Sequence, residues 1–376
     1  MAPGITIVTG EASGDVYGSM LASEIMRKSP GIEVTGVGGG RMREAGVDIV
    51  LDSSNLSVVG VWEAIVRLPE LRRAMNTVKD YIAGRKPDLL ILIDYPGMNL
   101  RLARFAKGKG VRVMYYVSPQ VWAWGRNRIS SIRKYVDKMV VILPFELELY
   151  RDEGVPVEYV GHPLIDIVKT AMSKEAFLEK NGLNRAYKLV SLLPGSRLQE
   201  IDRHLPPLVD TAMELAGSLE HLQFIVISLP EHSGLITDYL RKHDVDFKVV
   251  TDNKYEAIAA SDLALTCSGT VTLEAALLGT PMIVIYRLSF LSWLLGKLVV
   301  RVPYISLVNL VAGRRVVPEL IQGRVTSREL VRESRRILED GEVSRRMREG
   351  LADVRSKLGE GGATARAADV AISLAA

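Results

Sequence analysis

Short, uninterrupted apolar runs alternate with stretches of helical period along almost the whole chain, and this alternation limits the folds open to it. ITIVT (5–9), EVTGVG (33–38), DLLILID (88–94), VRVMYYV (111–117), KMVVIL (138–143) and VEYVG (157–161) occupy the first half. KLVSLLP (188–194), LQFIVISL (222–229), FKVV (247–250), DLALTC (262–267) and PMIVIY (281–286) repeat the habit in the second. Amphipathic stretches such as 62–85 and 99–109 lie between them. Strands apolar on both faces belong to parallel sheets covered by helices on each side. Residues 162–187 break the alternation, running from His162-Pro163 through a polar helical segment to Asn181-Gly182. A chain of 376 residues has length for two domains. The expected class is α/β, with two Rossmann-like doubly wound domains facing across a cleft. The expected segments are 1–165, 185–345 and a C-terminal helical segment, 346–376. Ligands of such sheets gather at the carboxyl ends of the strands.

Several function classes drop out. Hydrophobic residues make up 48% of the chain, too many for a disordered protein. One cysteine, Cys267, allows no intramolecular disulfide, and five histidines without a close pair give no zinc pattern. A net charge of +4 admits anionic partners. Without an RNP aromatic pattern, a zinc finger or a dense Lys/Arg tract, nucleic acid is not expected among them. No charged n-region with a long apolar run precedes ITIVT, so no signal peptide is expected. No stretch of 18 residues is long and apolar enough for a spanning helix; the nearest, Ser289 to Val311, contains Lys297, Arg301 and Pro303.

Three strand-to-helix loops are suited to ligands. Gly10-Glu11-Ala12-Ser13-Gly14-Asp15 follows the first strand, where two glycines permit close approach and a helix start favours an anion. Its alternative is a structural turn with Asp15 as N-cap. Leu192-Leu193-Pro194-Gly195-Ser196-Arg197 reads as strand end, turn and helix start; Arg197 is either a solvated arginine or a guanidinium for a diphosphate. Glu200, three residues on, could cap with Ser196. Ser268-Gly269-Thr270 opens the helix VTLEAALLG and offers hydroxyls and N–H groups to phosphate, with Glu274 one turn further on for ribose hydroxyls. Capping alone is the other reading of Ser268 and Thr270. Two anion loops in one domain, with neither a P-loop lysine nor G-x-G-x-x-G, leave a sugar nucleotide as the expected ligand. The lone D-x-D, Asp244-Val245-Asp246, reads as a solvated turn, so no metal and no cofactor are expected.

These and further motifs occur in order: GEASGD (10–15), GVGG with a nearby methionine (36–42), IDYPGMN (93–99), YVSPQVWAWG (116–125), LPFE (143–146), VGHP (160–163), LLPGSR (192–197), SGTVTLEAALLGTPMIVIYR (268–287) and SLVNLVAGR (306–314). Together they resemble the lipid-A-disaccharide synthase family over nearly the whole chain. The resemblance implies a GT-B fold and an inverting transfer of a 2,3-diacylglucosamine unit from UDP-2,3-diacylglucosamine to 2,3-diacylglucosamine 1-phosphate, giving a β-1,6-linked disaccharide 1-phosphate and UDP. It implies a Gram-negative-type bacterium and a cytoplasmic enzyme, peripheral on the inner face of the inner membrane. It makes Asp94 the base, or a group that orients the acceptor, with Asn99 in support and a turn cap as the plainer alternative. Arg197, Ser196, Ser268, Gly269, Thr270 and Glu274 would hold UDP, with Tyr286, Arg287 and Asn309 beside them. Gly10, Glu11, Ser13, Gly14, Trp122 and Trp124 would lie on the acceptor side.

Other features stay open. Trp122 and Trp124 would share a face on a strand, as core packing or as an aromatic wall for sugar or acyl chain. His162 is either a structural histidine or a cleft residue. SFLSWLLGKLVV (289–300) is too short to span and suits interfacial docking on an anionic leaflet, or a buried core helix. Leu56–Leu71 is a second docking candidate. Monomer and homodimer are equally compatible with the sequence. The rival functions are another GT-B transferase, a sugar-nucleotide epimerase, or a non-catalytic binding module.

Overall fold

A computed structural model describes residues 4–53, 68–289, 293 and 302–376. Contacts divide the chain into two units, Met1–Pro163 with Gly359–Ala376, and Leu164–Leu358. The first boundary lies two residues before the expected one. The linker region 164–187 belongs to the second unit, and the final helical segment divides at Leu358 rather than forming a piece of its own.

The first unit is a seven-stranded sheet in the order β3-β2-β1-β4-β5-β6-β7. Its strands are β1 (Gly4–Val8), β2 (Glu33–Gly38), β3 (Asp48–Asp52), β4 (Leu89–Ile93), β5 (Arg112–Tyr116), β6 (Lys138–Val141) and β7 (Val157–Tyr159). Every pairing is parallel. The second is six-stranded, β10-β9-β8-β11-β12-β13, and also wholly parallel. It comprises β8 (Lys188–Leu193), β9 (Leu222–Ile227), β10 (Phe247–Val250), β11 (Leu263–Cys267), β12 (Met282–Tyr286) and β13 (Glu319–Ile321). Each order reverses direction beside its first strand, so β1/β4 and β8/β11 are the switch points where a doubly wound sheet opens a crevice at its carboxyl edge. Strands β4 and β11 are buried at every residue, as their unbroken apolar sequences require. The two edge strands absent from the periodicity, β3 and β13, are short and mostly half-buried.

The last helix, Ala363–Ala375, packs on helix Ala12–Lys28 and on β4 and β5. Lys28 fixes it through Asp369 (2.6 Å) and the Ala365 carbonyl (2.9 Å), and Arg366 donates to the Val160 carbonyl (2.7 Å). Thus the chain's end is part of the first unit's helical layer.

Asp15 differs from its expected role. Glu11, not Asp15, is the N-cap residue of helix Ala12–Lys28. The Asp15 carboxylate instead accepts N–H bonds from Gly39 (2.6 Å), Arg41 (3.1 Å) and Met42 (3.3 Å), capping the next helix, Gly40–Glu44. A Cβ on Gly39 would come within 2.8 Å of that carboxylate. The GEASGD and GVGG motifs are therefore two halves of one joint. Among the described residues no helix is long and apolar enough to cross a membrane. Most of Leu56–Leu71 and of 289–300 lies outside the described residues.

Asp15→Ala strands three buried or half-buried N–H donors and is expected to destabilise the first unit by roughly 2–4 kcal/mol. The measurement is the shift of its urea transition. A change under about 0.5 kcal/mol, the size of a plain surface substitution, would contradict the assignment.

Candidate active site

At the carboxyl edge of the first sheet, β4 exits through Asp94 and Tyr95, both in the left-handed region (φ 45° and 43°). That conformation is strained for residues with side chains, and the surroundings hold it. Asn99 donates from Nδ2 to the carbonyls of Ile93 (3.0 Å) and Asp94 (2.8 Å). The buried Tyr115 hydroxyl donates to the Asp94 carbonyl, and the Asp94 N–H reaches the Val117 carbonyl (3.3 Å). Pro96 then starts helix Pro96–Gly108. The Tyr95 ring lies against Gly10, where a Cβ would meet it at 2.4 Å. Gly10 is thus needed for contact with its neighbour as much as for a ligand, and Gly14 packs tightly on Thr9.

The Asp94 carboxyl is pushed up to about 6, first by burial and then by the negative charge of Glu11; the Tyr95 N–H opposes the rise. The side chain of Glu11 makes no capping bond, and Ser13 is exposed. A half-buried carboxyl next to another carboxyl, on a backbone that cannot relax, suits proton transfer near neutral pH.

The motif SPQVWAWG is a turn rather than a strand, and its two tryptophans part company. Trp122 donates from Nε1 to Glu146 Oε1 (3.1 Å) and meets Phe145 edge-on at 5.3 Å. Trp124 is 40% exposed, with the Arg128 guanidinium 4.1 Å over its ring. Glu146 also accepts the Leu143 N–H (3.2 Å). Burial pushes its carboxyl up to about 8, leaving it largely protonated at neutral pH. Buried His162 is pushed down to about 4 by desolvation, so its ring is neutral.

At the carboxyl edge of the second sheet, three loops meet. Arg197, exposed, is the N-cap of helix Leu198–Ser218. Glu200 folds back so that Oε2 accepts the N–H groups of Ser196 (3.0 Å) and Arg197 (3.3 Å), while Oε1 lies 3.4 Å from the Arg197 guanidinium. The cap falls on Arg197, not Ser196, and Glu200 occupies the backbone donors that the loop was expected to offer a phosphate. What the loop presents is the Arg197 guanidinium and the Ser196 hydroxyl. Gly269 is the N-cap of helix Thr270–Leu277, and Gly269 and Thr270 are exposed. The Ser268 hydroxyl donates to the Ile305 carbonyl (3.3 Å). Buried Glu274 is ion-paired with Lys254 (2.8 Å), so a ribose would share that carboxylate with a cation.

Buried His204 was not apparent in the sequence. Its Nδ1 donates to the Pro194 carbonyl (2.9 Å), and its Nε2 accepts the Arg287 N–H (2.9 Å). A carbonyl on one side and an amide on the other require the neutral ring, and burial, the largest influence, lowers its pKa accordingly. His204 ties the loop after β8 to the end of β12. Cys267 and Tyr286 both feel Glu200 and Arg197, which puts them in the same cluster; burial raises both pKa values, leaving a neutral thiol and not a nucleophile. The signal for His204 was its place two turns into the helix that follows Arg197.

Asn309 is placed otherwise than expected. Its Nδ2 donates to the Val317 carbonyl (3.0 Å) and Glu319 (2.8 Å), and its Oδ1 accepts the N–H groups of Val316 (2.7 Å) and Val317 (3.0 Å). All four hydrogen-bonding positions of the amide are filled. Asn309 therefore shapes the loop and has nothing left for a nucleotide. Glu319, on edge strand β13, completes the brace by accepting the Ile305 and Ser306 N–H groups (3.0 Å each). Asp244 and Asp246 lie in an exposed bend before β10.

The model of the lipid-A-disaccharide synthetase family matches residues 5–371. A lipid-A-disaccharide synthase of Geobacter sulfurreducens is 43% identical over 371 residues, covering 98% of this chain and 97% of that protein. One of Syntrophus aciditrophicus is 44% identical over 375 residues, covering 98% and 97%. Among solved structures, the glycotransferase of kitacinnamycin superposes with a TM-score of 0.69 at 15% identity, covering 100% of each chain. A UDP-bound MnaA of S. aureus gives 0.68 at 14%, covering 97% and 94%. These structural likenesses establish a shared GT-B-type fold of two parallel-sheet units. The sequence matches establish more: this chain belongs to the lipid-A-disaccharide synthase family and is a glycosyltransferase of lipid A disaccharide synthesis.

Proposed function

We propose that the chain transfers 2,3-diacylglucosamine from UDP-2,3-diacylglucosamine to O6 of 2,3-diacylglucosamine 1-phosphate, inverting the anomeric centre. Asp94 removes the O6 proton as that oxygen bonds to C1 of the donor. The bond from C1 to the diphosphate oxygen breaks, and UDP leaves with the electron pair. The observation that carries the reading is Asp94 itself: a carboxyl raised to about 6 and held on a braced left-handed turn. Arg197 neutralises charge gained by the departing diphosphate, where a fixed cation contributes most. The hydroxyls of Ser196, Ser268 and Thr270 and the Gly269 N–H assist, and Glu274 binds the ribose alongside Lys254. The fold relatives include proteins crystallised with UDP or UDP-GlcNAc, which supports a UDP site on this fold. Tyr286 and Arg287 border it through His204.

The substrates are lipids and the net charge is +4, so the same reading places the enzyme at the anionic inner face of the inner membrane as a peripheral protein. Flotation with acidic vesicles at low salt is the expected behaviour; failure to float would count against it.

UDP release from purified protein in detergent with EDTA should require both lipids. Release with UDP-N-acetylglucosamine as donor at equal efficiency would favour a different transferase. Asp94→Asn should lower kcat by about 10²–10⁴-fold, and Arg197→Ala by roughly 10²–10³-fold. The active form is the carboxylate, so kcat/KM should fall as pH drops through about 6. Glu11→Gln removes a charge that raises that value and should move the acid limb to lower pH. An unmoved limb would show that Asp94 does not set it.

A further inference from the structure

The turn after β5 and the helix Ile129–Tyr135 that follows it carry three arginines whose surroundings differ. Arg126 pairs with Glu153 (3.3 Å), and Arg133 donates to the Glu153 carbonyl (3.4 Å). Among the described residues, Arg128 has no carboxylate partner. It lies 4.1 Å over the Trp124 ring, which leaves the edge of its guanidinium available for a ligand. The turn is built around it: Gly125 has φ 76°, and a Cβ there would come within 3.3 Å of Arg128 Nε. The ring beneath it is held in the same turn as Trp122, which Glu146 anchors from below.

Arg128 also lies near the Asp94 turn. Its charge is felt by the buried Tyr115 hydroxyl, and that hydroxyl is bonded to the Asp94 carbonyl. The carboxyl edge of the first sheet thus carries the carboxyl groups of Glu11 and Asp94 together with Arg128, a half-buried cation that has no carboxylate partner among the described residues. Partly burying a cation without a partner costs free energy, which an anionic ligand would recover. The planar fork of arginine fits the oxygens of a phosphate monoester, and stacking on an indole fixes its plane.

We propose that Arg128, seated on Trp124, binds the phosphate monoester of the acceptor and so selects a phosphorylated acceptor over its unphosphorylated counterpart. This assignment rests on the acceptor named above. Because Asp94 and Arg128 are on one sheet edge, gripping the phosphate at one end of the acceptor sugar would aim the hydroxyl at its other end toward the base. The residue acts on binding and orientation and takes no part in proton transfer.

The test is steady-state kinetics of UDP release with two acceptors, 2,3-diacylglucosamine 1-phosphate and 2,3-diacylglucosamine, for the unaltered protein, Arg128→Ala and Arg128→Lys. The unaltered protein should prefer the phosphorylated acceptor. Arg128→Ala should lose roughly 10- to 100-fold in kcat/KM on it, the size of one charge-assisted pair, chiefly through KM. Activity on the unphosphorylated acceptor and KM for the donor should change by less than about 2-fold, within the range of a neutral substitution. Arg128→Lys should retain part of the preference. An equal loss on both acceptors, or no preference in the unaltered protein, would overturn the assignment while leaving the transferase reading intact. An unaltered protein inert with donor and both acceptors would overturn both.

Discussion

Strand β4 leaves its sheet through two consecutive left-handed residues, Asp94 and Tyr95, and the chemistry at that edge depends on this turn. Two left-handed residues with side chains cost of order 1–3 kcal/mol each. The cost is offset locally by Asn99, by the Tyr115 hydroxyl and by the Val117 carbonyl, each bonded to the turn's backbone. The Tyr95 ring fills the space that Gly10 leaves open. The consequence is electrostatic. The Asp94 backbone is held, its side chain is half-buried, and Glu11 sits near enough to raise its pKa. A carboxyl that would otherwise titrate near 4 is thereby brought toward the range useful for accepting a proton at neutral pH.

The second unit solves a different problem. Among the described residues its loops present the exposed Arg197 and several hydroxyls, and they are braced from beneath by neutral or paired buried groups. His204 joins two loops through the two nitrogens of one uncharged ring. Asn309 and Glu319 hold the segment after β12 by filling every hydrogen-bonding position of an amide. Glu200 satisfies the turn's own N–H groups and leaves Arg197 to project. Braces of this kind place the ligand-binding atoms before a ligand arrives, which is what electrostatic catalysis requires.

Much of this was legible in the sequence. Eleven strands follow directly from apolar runs, because a strand covered on both faces cannot hide its composition. β3 and β13 were not legible because short edge strands need little apolar surface. The loops bearing Arg197 and Ser268 follow from the strand-to-helix pattern, whereas Asp94 was singled out by the family resemblance. What failed depended on tertiary partners: Asp15 caps not its own helix but the next, Gly40–Glu44, through N–H groups 24 to 27 residues on, Glu200 accepts the loop's own N–H groups, and Asn309 turns inward. The tryptophans of SPQVWAWG lie on a turn, which spacing on a strand could not reveal. Nothing local indicates that the last helix returns to the first unit, since that contact rests on Lys28, Arg112 and the Val160 carbonyl, far away in the chain.

The setting of Asp94 raises its carboxyl. Its titration can be followed directly by carbon NMR of protein labelled at aspartate carboxyls, with the Asp94→Asn spectrum identifying the resonance. A midpoint near 6 in the free protein is the predicted result. A midpoint near 4, the ordinary aspartate value, would mean that neither burial nor Glu11 tunes the group, and would contradict the account of Asp94 as a base prepared by the fold.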